Sequence, residues 1–393
     1  MREVAVIGIG MHKWGKFPEN TFLDLAAYAA REALKDAGVG WMDVEMVSSG
    51  IYKHGGDAGL LSGNMLMSRL GEIGVPVVNI WGACATATSV VRTAHQSVAS
   101  GECDLVMAVA GDMSPLGMLP TISKDPMDPI FMRFQMIGLS NPAYWAMECR
   151  QRMEKYGTTE LHLAKAKTVC SKYGALNPNA RYRKEFTIEE VLNSTMVVDP
   201  LRLFEICATS DGAAAVVMCS MDKARKYTTK PLTIAGVGLG SRQYGDPTDS
   251  PGMVALPPTA TDVPLLSESY NAARNAYRYA GIGPEDIDFL ELPDNSSWHY
   301  LQYPETLGFW GPGESEHMLD EGETMKGGKL PICPSGGFAA FGEATAAQAL
   351  AQLCEVVWQL RGDSGERQVE GAKVGMAQSY GLFGSSGSIV VKK

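Results

Sequence analysis

Short apolar runs and helical apolar patterns alternate along the chain. The run Val4–Gly8 is too short for the apolar core of a secretion signal and predicts a buried strand. In Leu23–Gly38 the apolar residues recur at helical spacing, and Gly38 marks a typical helix end. Another strand is predicted at Val44–Ser48. This order of strand, helix and strand is typical of an α/β fold.

The second half of the chain repeats this order. It contains a predicted strand at Leu232–Val237, a helix at Asn271–Gly281 with the same Ala-Gly ending, and a strand at Ile287–Glu291. Farther along, each half has a helix followed by a strand. These four segments are Ala83–Ser100, Asp104–Ala110, Glu343–Leu360 and Ala372–Ala377. Equivalent elements in two halves predict two similar α/β domains packed about a pseudo-twofold axis.

The predicted repeat divides the chain into a duplicated body and an insertion. The segments are 1–114 for the first part of the N-terminal half, 115–200 for an inserted loop or lid, 201–228 for the return of the N-terminal half, and 229–393 for the C-terminal half. Two helices are predicted within the insertion, at Met147–Tyr156 and Glu160–Tyr173.

Composition narrows the classes of function. The chain has 393 residues, of which 45% are hydrophobic and 20% charged, as expected of an ordinary globular protein. The net charge of the chain is −10, whereas nucleic-acid-binding proteins usually carry a strongly positive surface. We therefore expect no nucleic acid partner. No apolar stretch approaches the roughly 18 residues that a membrane-spanning helix needs, so we expect no membrane span.

The cysteines of the chain point to a reducing compartment. There are 8 of them, and no two have the CxxC spacing of a zinc ribbon, so we expect no metal in this chain. Scattered cysteines in a large chain are mostly small core residues, and they predict a cytoplasmic location. At most one or two of them are expected to react.

One cysteine lies in a context that favours chemistry. Cys84 follows a predicted strand and a turn of small residues and precedes a predicted helix. The positive end of a helix and its free N–H groups favour the thiolate, so we expect a lowered pKa for the Cys84 thiol. The same N–H groups are suited to hold the oxyanion of a thioester. The alternative is a buried structural cysteine.

Several motifs resemble those of one enzyme family. They are Asn79–Ser89 with Cys-Ala-Thr at its centre, Gly174–Pro178, Asp199–Leu203, Ser210–Ala215, Pro334–Gly337 and Gly381–Gly384. Through them the chain resembles the thiolase superfamily, and within it the sterol carrier protein x type and its archaeal relatives. The resemblance implies an α/β, duplicated thiolase fold, with two βαβαβαββ halves in five α-β-α-β-α layers and an inserted loop domain. It also implies that Cys84 is the acylated nucleophile and that coenzyme A is a substrate.

The chain departs from this family at the positions that handle protons. The family's His-Asp-Cys-Phe segment is replaced by Pro293–Ser296. Its Gly-His-Pro is replaced by Gly342–Ala344, which puts Glu343 in place of the histidine. Ser379 stands where the family has a late cysteine or histidine. The resemblance therefore keeps the nucleophile and implies a different set of acid–base groups.

Glu343 is the first candidate for the base, because a partly buried carboxylate has a raised pKa. The alternative is an exposed carboxylate that stabilises the start of the predicted helix. His54, on a glycine-rich loop, and His299, after the altered segment, are further candidates for catalysis. A lone histidine is more often structural, and this alternative stays open for both.

Further candidates lie in the loops around the nucleophile. Asn295 or its neighbour Ser296 is expected to replace lost oxyanion donors, and Gly381 lies in the late catalytic loop. Ser379 is a candidate acid or base, and Tyr380 beside it is either an acid or a packing residue. The residues that hold coenzyme A are not apparent from the sequence.

Three functions are consistent with the sequence. In the first, Cys84 attacks the ketone carbon of a β-ketoacyl-CoA, and free CoA then takes the acyl group. In the second, as in sterol side-chain-cleaving relatives, the chain is a retro-aldolase that acts on a β-hydroxyacyl-CoA without an acyl-cysteine. In the third, it is a non-catalytic acyl-CoA or lipid-binding scaffold. The presence of Cys84 favours the first.

The resemblance also implies a substrate and partners. Relatives with altered catalytic loops include enzymes that convert 2-benzoylsuccinyl-CoA and CoA into benzoyl-CoA and succinyl-CoA, and this is the reaction expected here. The Met- and aromatic-rich segment Met113–Trp145 is a candidate to line the aryl group; the alternative is that it only packs in the core, as methionine-rich segments more often do. We expect a homodimer paired through Asp104–Ala110. The resemblance also implies a small zinc-ribbon and OB-fold partner subunit, and the absence of a CxxC ribbon from this chain is compatible with it.

Overall fold

Strands and helices alternate through the part of the chain that the computed structural model describes, which is residues 2–115, 127, 138–243, 266–382 and 384–393. The strands are β1 (Val4–Gly15), β2 (Met46–Gly50), β3 (Val77–Ile80), β4 (Leu105–Met113), β5 (Met196–Val198), β6 (Leu201–Arg202), β7 (Asp211–Ser220), β8 (Leu232–Gly240), β9 (Phe289–Glu291), β10 (Val374–Gly381) and β11 (Ser385–Lys392). The helices are α1 (Phe22–Ala37), α2 (Gly56–Leu60), α3 (Ser62–Leu70), α4 (Thr86–Ser100), α5 (Asn141–Tyr156), α6 (Glu160–Leu176), α7 (Ile188–Leu192), α8 (Met221–Tyr227), α9 (Ser267–Ala280), α10 (Ser297–Thr306), α11 (Ser315–Asp320), α12 (Gly337–Phe341) and α13 (Gln348–Arg361).

Nine strands form one mixed sheet in the order β3-β2-β4-β7-β1-β8-β11-β10-β9. In the N-terminal half, β7 pairs antiparallel with β1 and β4, and β2 pairs in parallel with β4 and β3. In the C-terminal half, β11 pairs antiparallel with β8 and β10, and β10 pairs in parallel with β9. A parallel bridge between Leu290 and Ile332 takes the place that β3 has in the first half. The repeat predicted from the sequence is therefore present in the strand order.

The two halves meet at their first strands. β1 and β8 are joined through the pairs Ala5–Thr233 and Val6–Leu232. Helices α4 and α13 pack on each other and on strands of both halves, while α1 covers β1 and β7, and α9 covers β8 and β11. This packing supports the layered arrangement implied by the resemblance. The count of five layers stays a prediction.

The predicted helix ends at the two Ala-Gly pairs are confirmed. Gly38 after α1 has a φ of 66°, and Gly281 after α9 has a φ of 65°. Glycine adopts this left-handed conformation without the steric cost of a β-carbon. Equivalent helices in the two halves therefore end by the same backbone geometry.

The segment between β4 and β7 contains helices α5, α6 and α7 and the hairpin of β5 and β6. The helices predicted at Met147–Tyr156 and Glu160–Tyr173 are present, with α5 beginning earlier and α6 ending later. α6 packs on α10 and α12 of the C-terminal half. Residues 116–126 and 128–137 lie outside the described part, so most of the predicted aryl-lining segment Met113–Trp145 lies outside it as well. The limits of the insertion stay predictions.

Two predictions about elements are wrong. The helix predicted from Glu343 begins only at Gln348, because Glu343 instead forms a parallel bridge with Thr209. The strand predicted to pair two copies of the chain, Asp104–Ala110, overlaps β4, which is hydrogen-bonded to β2 on one side and to β7 on the other. A strand with two neighbours offers no free edge to a second copy.

No helix in the described ranges is both long and apolar enough to cross a membrane.

Candidate active site

Cys84 lies in a tight turn between β3 and α4. Ala83, just before it, has a φ of 51°, a left-handed conformation that is costly for a residue with a β-carbon. The Thr86 hydroxyl stabilises the turn, since it donates to the Ala83 carbonyl (2.6 Å) and accepts from the Gly82 N–H (2.9 Å). α4 begins at Thr86, and the Cys84 side chain is buried. The predicted strand, turn and helix around Cys84 are therefore confirmed.

Gly381, at the end of β10, packs directly on this turn. A β-carbon at Gly381 would lie 2.8 Å from the carbonyl oxygen of Gly82 and 3.0 Å from the nitrogen of Cys84. Glycine is required here because the backbones of the two halves approach so closely. The fold therefore brings the late glycine motif of the C-terminal half against the cysteine of the N-terminal half.

The backbone of Glu343 is held between α12 and α13. Its N–H donates to the Ala208 carbonyl (2.7 Å), and its carbonyl accepts from the Ser210 N–H (2.7 Å). Gly342, just before it, has a φ of 75°, and a β-carbon there would lie 2.6 Å from the Ala208 oxygen. This pairing fixes Glu343 beside the segment that precedes β7.

The carboxyl group of Glu343 joins two thiols and an amide. The thiols of Cys84 and Cys207 both donate hydrogen bonds to it, and the Asn295 side-chain amide donates to Oε1 (2.5 Å). Glu343 is only 4% exposed, so this group is removed from solvent. The structure therefore brings together Cys84, Glu343 and Asn295. Glu343 engages one N–H of the Asn295 amide, and the predicted role of Asn295 as an oxyanion donor stays untested.

Burial is the main influence on the carboxyl group of Glu343. Burial raises the pKa of Glu343 to about 7, with a further rise from the carboxyl of Asp112, against the hydrogen bonds from Cys207, Asn295 and Cys84, which lower it. A carboxyl group with this pKa is suited to accept and return a proton near neutral pH.

The prediction of a lowered pKa for Cys84 is wrong. Burial raises the pKa of the Cys84 thiol well above its usual value, and the nearby carboxyl groups of Glu343 and Asp112 raise it further. The positive end of α4, which begins two residues after Cys84, lowers this pKa less than burial and the two carboxyl groups raise it. Cys84 is therefore a thiol at rest, and it needs a base to become a nucleophile.

Asp112 is a site residue that the sequence analysis missed. It lies near the end of β4, where it accepts hydrogen bonds from the Thr345 hydroxyl and from the Ala346 N–H (2.7 Å). It is buried, and burial raises its pKa while these hydrogen bonds lower it. Asp112 thus fixes the segment after Glu343 to the first half of the sheet.

Cys207 was missed as well. It follows a short 3₁₀ turn after β6 and is buried against Glu343, and burial raises the pKa of its thiol well above the usual value. Its N–H donates to the carbonyl of Asn295 (2.9 Å). The only signal in the sequence was its place three residues before the Ser210–Ala215 motif.

Ser379 lies within strand β10, and its side chain faces helix α4. Its hydroxyl is 2.7 Å from the hydroxyl of Thr88 on α4 and donates to the carbonyl of Gly387 (3.2 Å). Tyr380, next in the strand, is buried among aromatic rings that include His299 and Tyr303. Neither of these hydrogen bonds reaches Cys84 or Glu343. Its predicted acid–base role stays untested.

The two candidate histidines occupy different settings. His54 is exposed in a short 3₁₀ turn, and it acts electrostatically on Asp112. His299 is fully buried in the first turn of α10, where its Nδ1 accepts from the Ser296 N–H (3.1 Å). Burial lowers the pKa of His299 to about 3, so this ring is neutral. Neither histidine has a described contact with Cys84, and their catalytic roles stay untested.

A cavity of about 420 Å³ opens beside Cys207. Aromatic and aliphatic side chains form most of its wall, among them Tyr182, Phe186, Phe204, Val197 and Leu203. Two cationic residues, Lys167 and Arg181, line the same wall. Lys167 is buried and donates to the Ala339 carbonyl (2.7 Å), and burial lowers the pKa of its amine. A cavity of this size accommodates an acyl group, and the positive charge of Arg181 favours one with a negative charge.

One group of side chains in the described residues has the composition of a metal site. The ligand atoms of Cys170, Asp294 and Cys333 lie within 4.8 Å of one another and are buried. Asp294 already accepts from the N–H groups of Phe338 (2.6 Å) and Ala339 (3.1 Å), and Cys170 is hydrogen-bonded to Cys333 and Asp294. These polar groups thus satisfy one another, and the absence of a metal from this chain stays a prediction.

Family models and curated relatives assign this chain to one family. The model for the thiolase N-terminal domain matches residues 4–133, and the model for the thiolase C-terminal domain-like family matches residues 259–393. An acetyl-CoA acetyltransferase of Methanothermobacter thermautotrophicus is 34% identical over 99% of this chain and 99% of its own length. Sterol carrier protein 2 of Bos taurus is 32% identical over 97% of this chain and 70% of its own length.

Two further similarities bear on chemistry. The benzoylsuccinyl-CoA thiolase subunit BbsB of Thauera aromatica is 31% identical over 94% of this chain and 92% of its own length. The solved structure of the Ltp2-ChsH2(DUF35) aldolase has a TM-score of 0.84 and 25% identity, over 99% of this chain and 98% of that one. The chain therefore belongs to the thiolase superfamily, within its sterol carrier protein and archaeal type, and is a thiolase-type acyltransferase.

Proposed function

We propose that this protein cleaves a β-ketoacyl-CoA by CoA-dependent thiolysis through an acyl group on Cys84. The observation that carries the proposal is the hydrogen bond from the Cys84 thiol to the carboxyl group of Glu343. A thiol with a raised pKa is unreactive until a base takes its proton, and a carboxylate with a pKa of about 7 is that base at neutral pH.

The reaction then has two halves. Glu343 takes the proton of Cys84, and the thiolate attacks the ketone carbon of the substrate. The bond between the α and β carbons breaks, the leaving thioester enolate is protonated, and the acyl group stays on Cys84. Free CoA attacks this acyl group and regenerates the thiol. A covalent intermediate shared by two half-reactions predicts ping-pong kinetics.

The competing function is retro-aldol cleavage of a β-hydroxyacyl-CoA. Its support is the similarity to the Ltp2-ChsH2(DUF35) aldolase, which extends over nearly the whole chain. That chemistry needs a base and an enolate site but no acyl-cysteine. The buried thiol–carboxyl pair of Cys84 and Glu343 favours thiolysis, because retro-aldol cleavage uses a base but has no use for the thiol beside it.

For the substrate we propose an acidic aromatic β-keto thioester, with 2-benzoylsuccinyl-CoA as the specific candidate. The supporting features are the aromatic wall of the cavity beside Cys207 and its two basic residues, Lys167 and Arg181. An aryl group packs on aromatic rings, and a free carboxylate pairs with a cation. The relative from Thauera aromatica is named for this thioester.

Intact-mass analysis tests thiolysis against aldol cleavage. The protein is incubated without CoA with a panel of β-keto thioesters that includes 2-benzoylsuccinyl-CoA. We expect an acyl adduct that disappears on addition of CoA and that does not form in Cys84→Ala. Cleavage of a β-hydroxyacyl-CoA with no adduct, at the same rate in Cys84→Ala, would favour the aldolase.

The assembly remains part of the proposal. We propose a homodimer that works with a small zinc-ribbon and OB-fold subunit in the cytoplasm. The support for a partner is the related aldolase, whose name couples two components. In the described sheet β3 is an edge strand, so it replaces β4 as the candidate for pairing two copies. A monomer in light scattering that is fully active alone would contradict this assembly.

A further inference from the structure

Cys207 lies between the cavity and the carboxyl group of Glu343, the proposed base for Cys84. Its thiol donates to Glu343, and the Asn295 side-chain nitrogen lies 4.0 Å from its sulfur. Cys207 also lines the cavity of about 420 Å³. One carboxyl group therefore contacts two thiols, of which Cys207 is the one that borders the space for the substrate.

The backbone holds Cys207 in this position from both sides. Its own N–H donates to the Asn295 carbonyl (2.9 Å), and the next residue, Ala208, accepts from the Glu343 N–H (2.7 Å). The two sides of this arrangement come from the N-terminal half and the C-terminal half. Such bracing keeps an acid–base group in one geometry, which general acid–base catalysis requires.

The other candidate proton donors are less well placed. The hydroxyl of Ser379 is directed to Thr88 and Gly387. His54 is exposed, and the Nδ1 atom of His299 accepts from the Ser296 backbone in a fully buried turn. Cys207 combines a transferable proton, contact with Glu343 and a place on the cavity wall.

We propose that Cys207 is the catalytic acid that protonates the thioester enolate after the carbon–carbon bond breaks, and the base that then takes the proton of free CoA. This assignment rests on the proposed thiolysis. It gives the chain two reacting cysteines with separate tasks, Cys84 for carbon–sulfur bond formation and Cys207 for proton transfer.

The protons balance over one turnover. Glu343 accepts the proton of Cys84, whose thiolate forms the carbon–sulfur bond while the carbon–carbon bond breaks. The S–H bond of Cys207 breaks as its proton goes to the enolate carbon. The resulting Cys207 thiolate takes the proton of CoA, and the CoA thiolate displaces Cys84 from the acyl group. Glu343 returns its proton to the Cys84 thiolate, so no other reactant is needed.

Two assays separate the tasks of the two cysteines. The burst of p-nitrophenolate from p-nitrophenyl acetate reports acylation of Cys84, because this leaving group needs no acid. Deuterium uptake from D₂O into the α position of acetyl-CoA and succinyl-CoA reports proton transfer at carbon. The proteins compared are wild type, Cys84→Ala, Cys207→Ala, Cys207→Ser and Cys149→Ala. The last is a control for loss of a buried thiol elsewhere in the described core.

We expect the Cys207 variants to lose roughly 10²–10⁴-fold in deuterium uptake and in thiolysis, the usual range for a general acid–base group. The rate of the p-nitrophenolate burst in these variants, which reports acylation of Cys84, should stay within about threefold of wild type. Cys84→Ala should lose the burst and keep the uptake, and Cys149→Ala should keep both.

Three results would overturn the assignment. They are uptake by Cys207→Ser within about threefold of wild type, equal loss of burst and uptake in both Cys207 variants, and a wild-type protein that acylates Cys84 but exchanges neither thioester. Failure of the proposed thiolysis gives a different pattern. Uptake would then depend on Cys207, while no acyl group forms on Cys84.

Discussion

The α-carbon of Gly381 faces the backbone nitrogen of Cys84 so closely that a β-carbon at position 381 would lie 3.0 Å from that nitrogen. The two residues belong to different halves of the repeat. The nucleophile turn of the first half is therefore supported by the last two strands of the second half. Its geometry requires that residue 381 have no side chain.

Replacement of Gly381 by alanine should reduce activity without unfolding the protein. The new β-carbon would meet backbone atoms of Gly82, Cys84 and Ala85, none of which can rotate away. We expect Cys84 to move and thiolysis to fall by at least tenfold, since small misplacements of a reacting group are costly. The control is Gly82→Ala, whose β-carbon would meet its nearest atom at an ordinary 3.4 Å. Equal activity of the two variants would contradict this argument.

Cys84→Ala should abolish acyl transfer and leave the fold intact. The lost group is a small buried side chain, so the free energy of unfolding should fall by about 1–2 kcal/mol. Intact-mass analysis reports the adduct, and denaturant unfolding reports stability. An adduct of unchanged yield would show that another residue is the nucleophile.

Glu343→Gln should cost roughly 10²–10⁴-fold in turnover, because glutamine keeps the shape but not the basicity. Since the pKa of Glu343 is raised to about 7, kcat/KM of the wild-type protein should rise with pH through about 7 as the carboxylate forms. The variant should lack this rise. Activity of Glu343→Gln within about threefold of wild type would remove the carboxyl group from the mechanism and make His54 the next base to test.

Ser379→Ala should affect stability more than activity. Its hydroxyl links β10 to Thr88 of α4 in the buried interior. Loss of this pair should lower the free energy of unfolding by about 1–3 kcal/mol, because the Thr88 hydroxyl is left without its partner. Turnover should remain within about threefold of wild type. A hundredfold loss of turnover with unchanged unfolding would instead support the acid–base role suggested by the family resemblance.

Glu205→Gln should stabilise the protein at high pH. Burial raises the pKa of Glu205 from 4.5 to about 7, and its Oε1 has no hydrogen-bond partner among the described residues. A group with a raised folded pKa loses its favourable contribution as pH rises from about 4.5 to about 7. The variant should therefore gain up to about 3 kcal/mol at pH 8 and nothing at pH 4. Denaturant unfolding at both pH values tests this, and an equal effect at both would contradict it.

Local signals in the sequence account for the elements and for the nucleophile. The Ala-Gly helix ends at Gly38 and Gly281 depend on neighbours within one turn, and so does the strand, turn and helix around Cys84. The prediction of a helix from Glu343 was wrong. The alanine-rich run after Glu343 has helical propensity, but the bridge from Glu343 to Thr209 is a contact between residues far apart in the sequence, which local propensity does not reveal.

Distant contacts explain what the sequence could not predict at the site. The expected pKa of Cys84 considered only the nearby helix start, while the groups that raise it, Glu343 and Asp112, come from other segments. Cys207 carries no motif of its own. Its importance appears only when the fold places it against Glu343, which lies in the other half of the repeat.

The central place of β1 in the sheet also affects how the protein is made. Both neighbours of β1, β7 and β8, leave the ribosome roughly 200 residues after it, at a synthesis rate of about 5–20 residues per second. For tens of seconds the nascent chain thus carries an apolar strand with two open edges, which invites aggregation with other chains. Chaperone capacity should therefore limit the yield of this protein during rapid expression more than its final stability does.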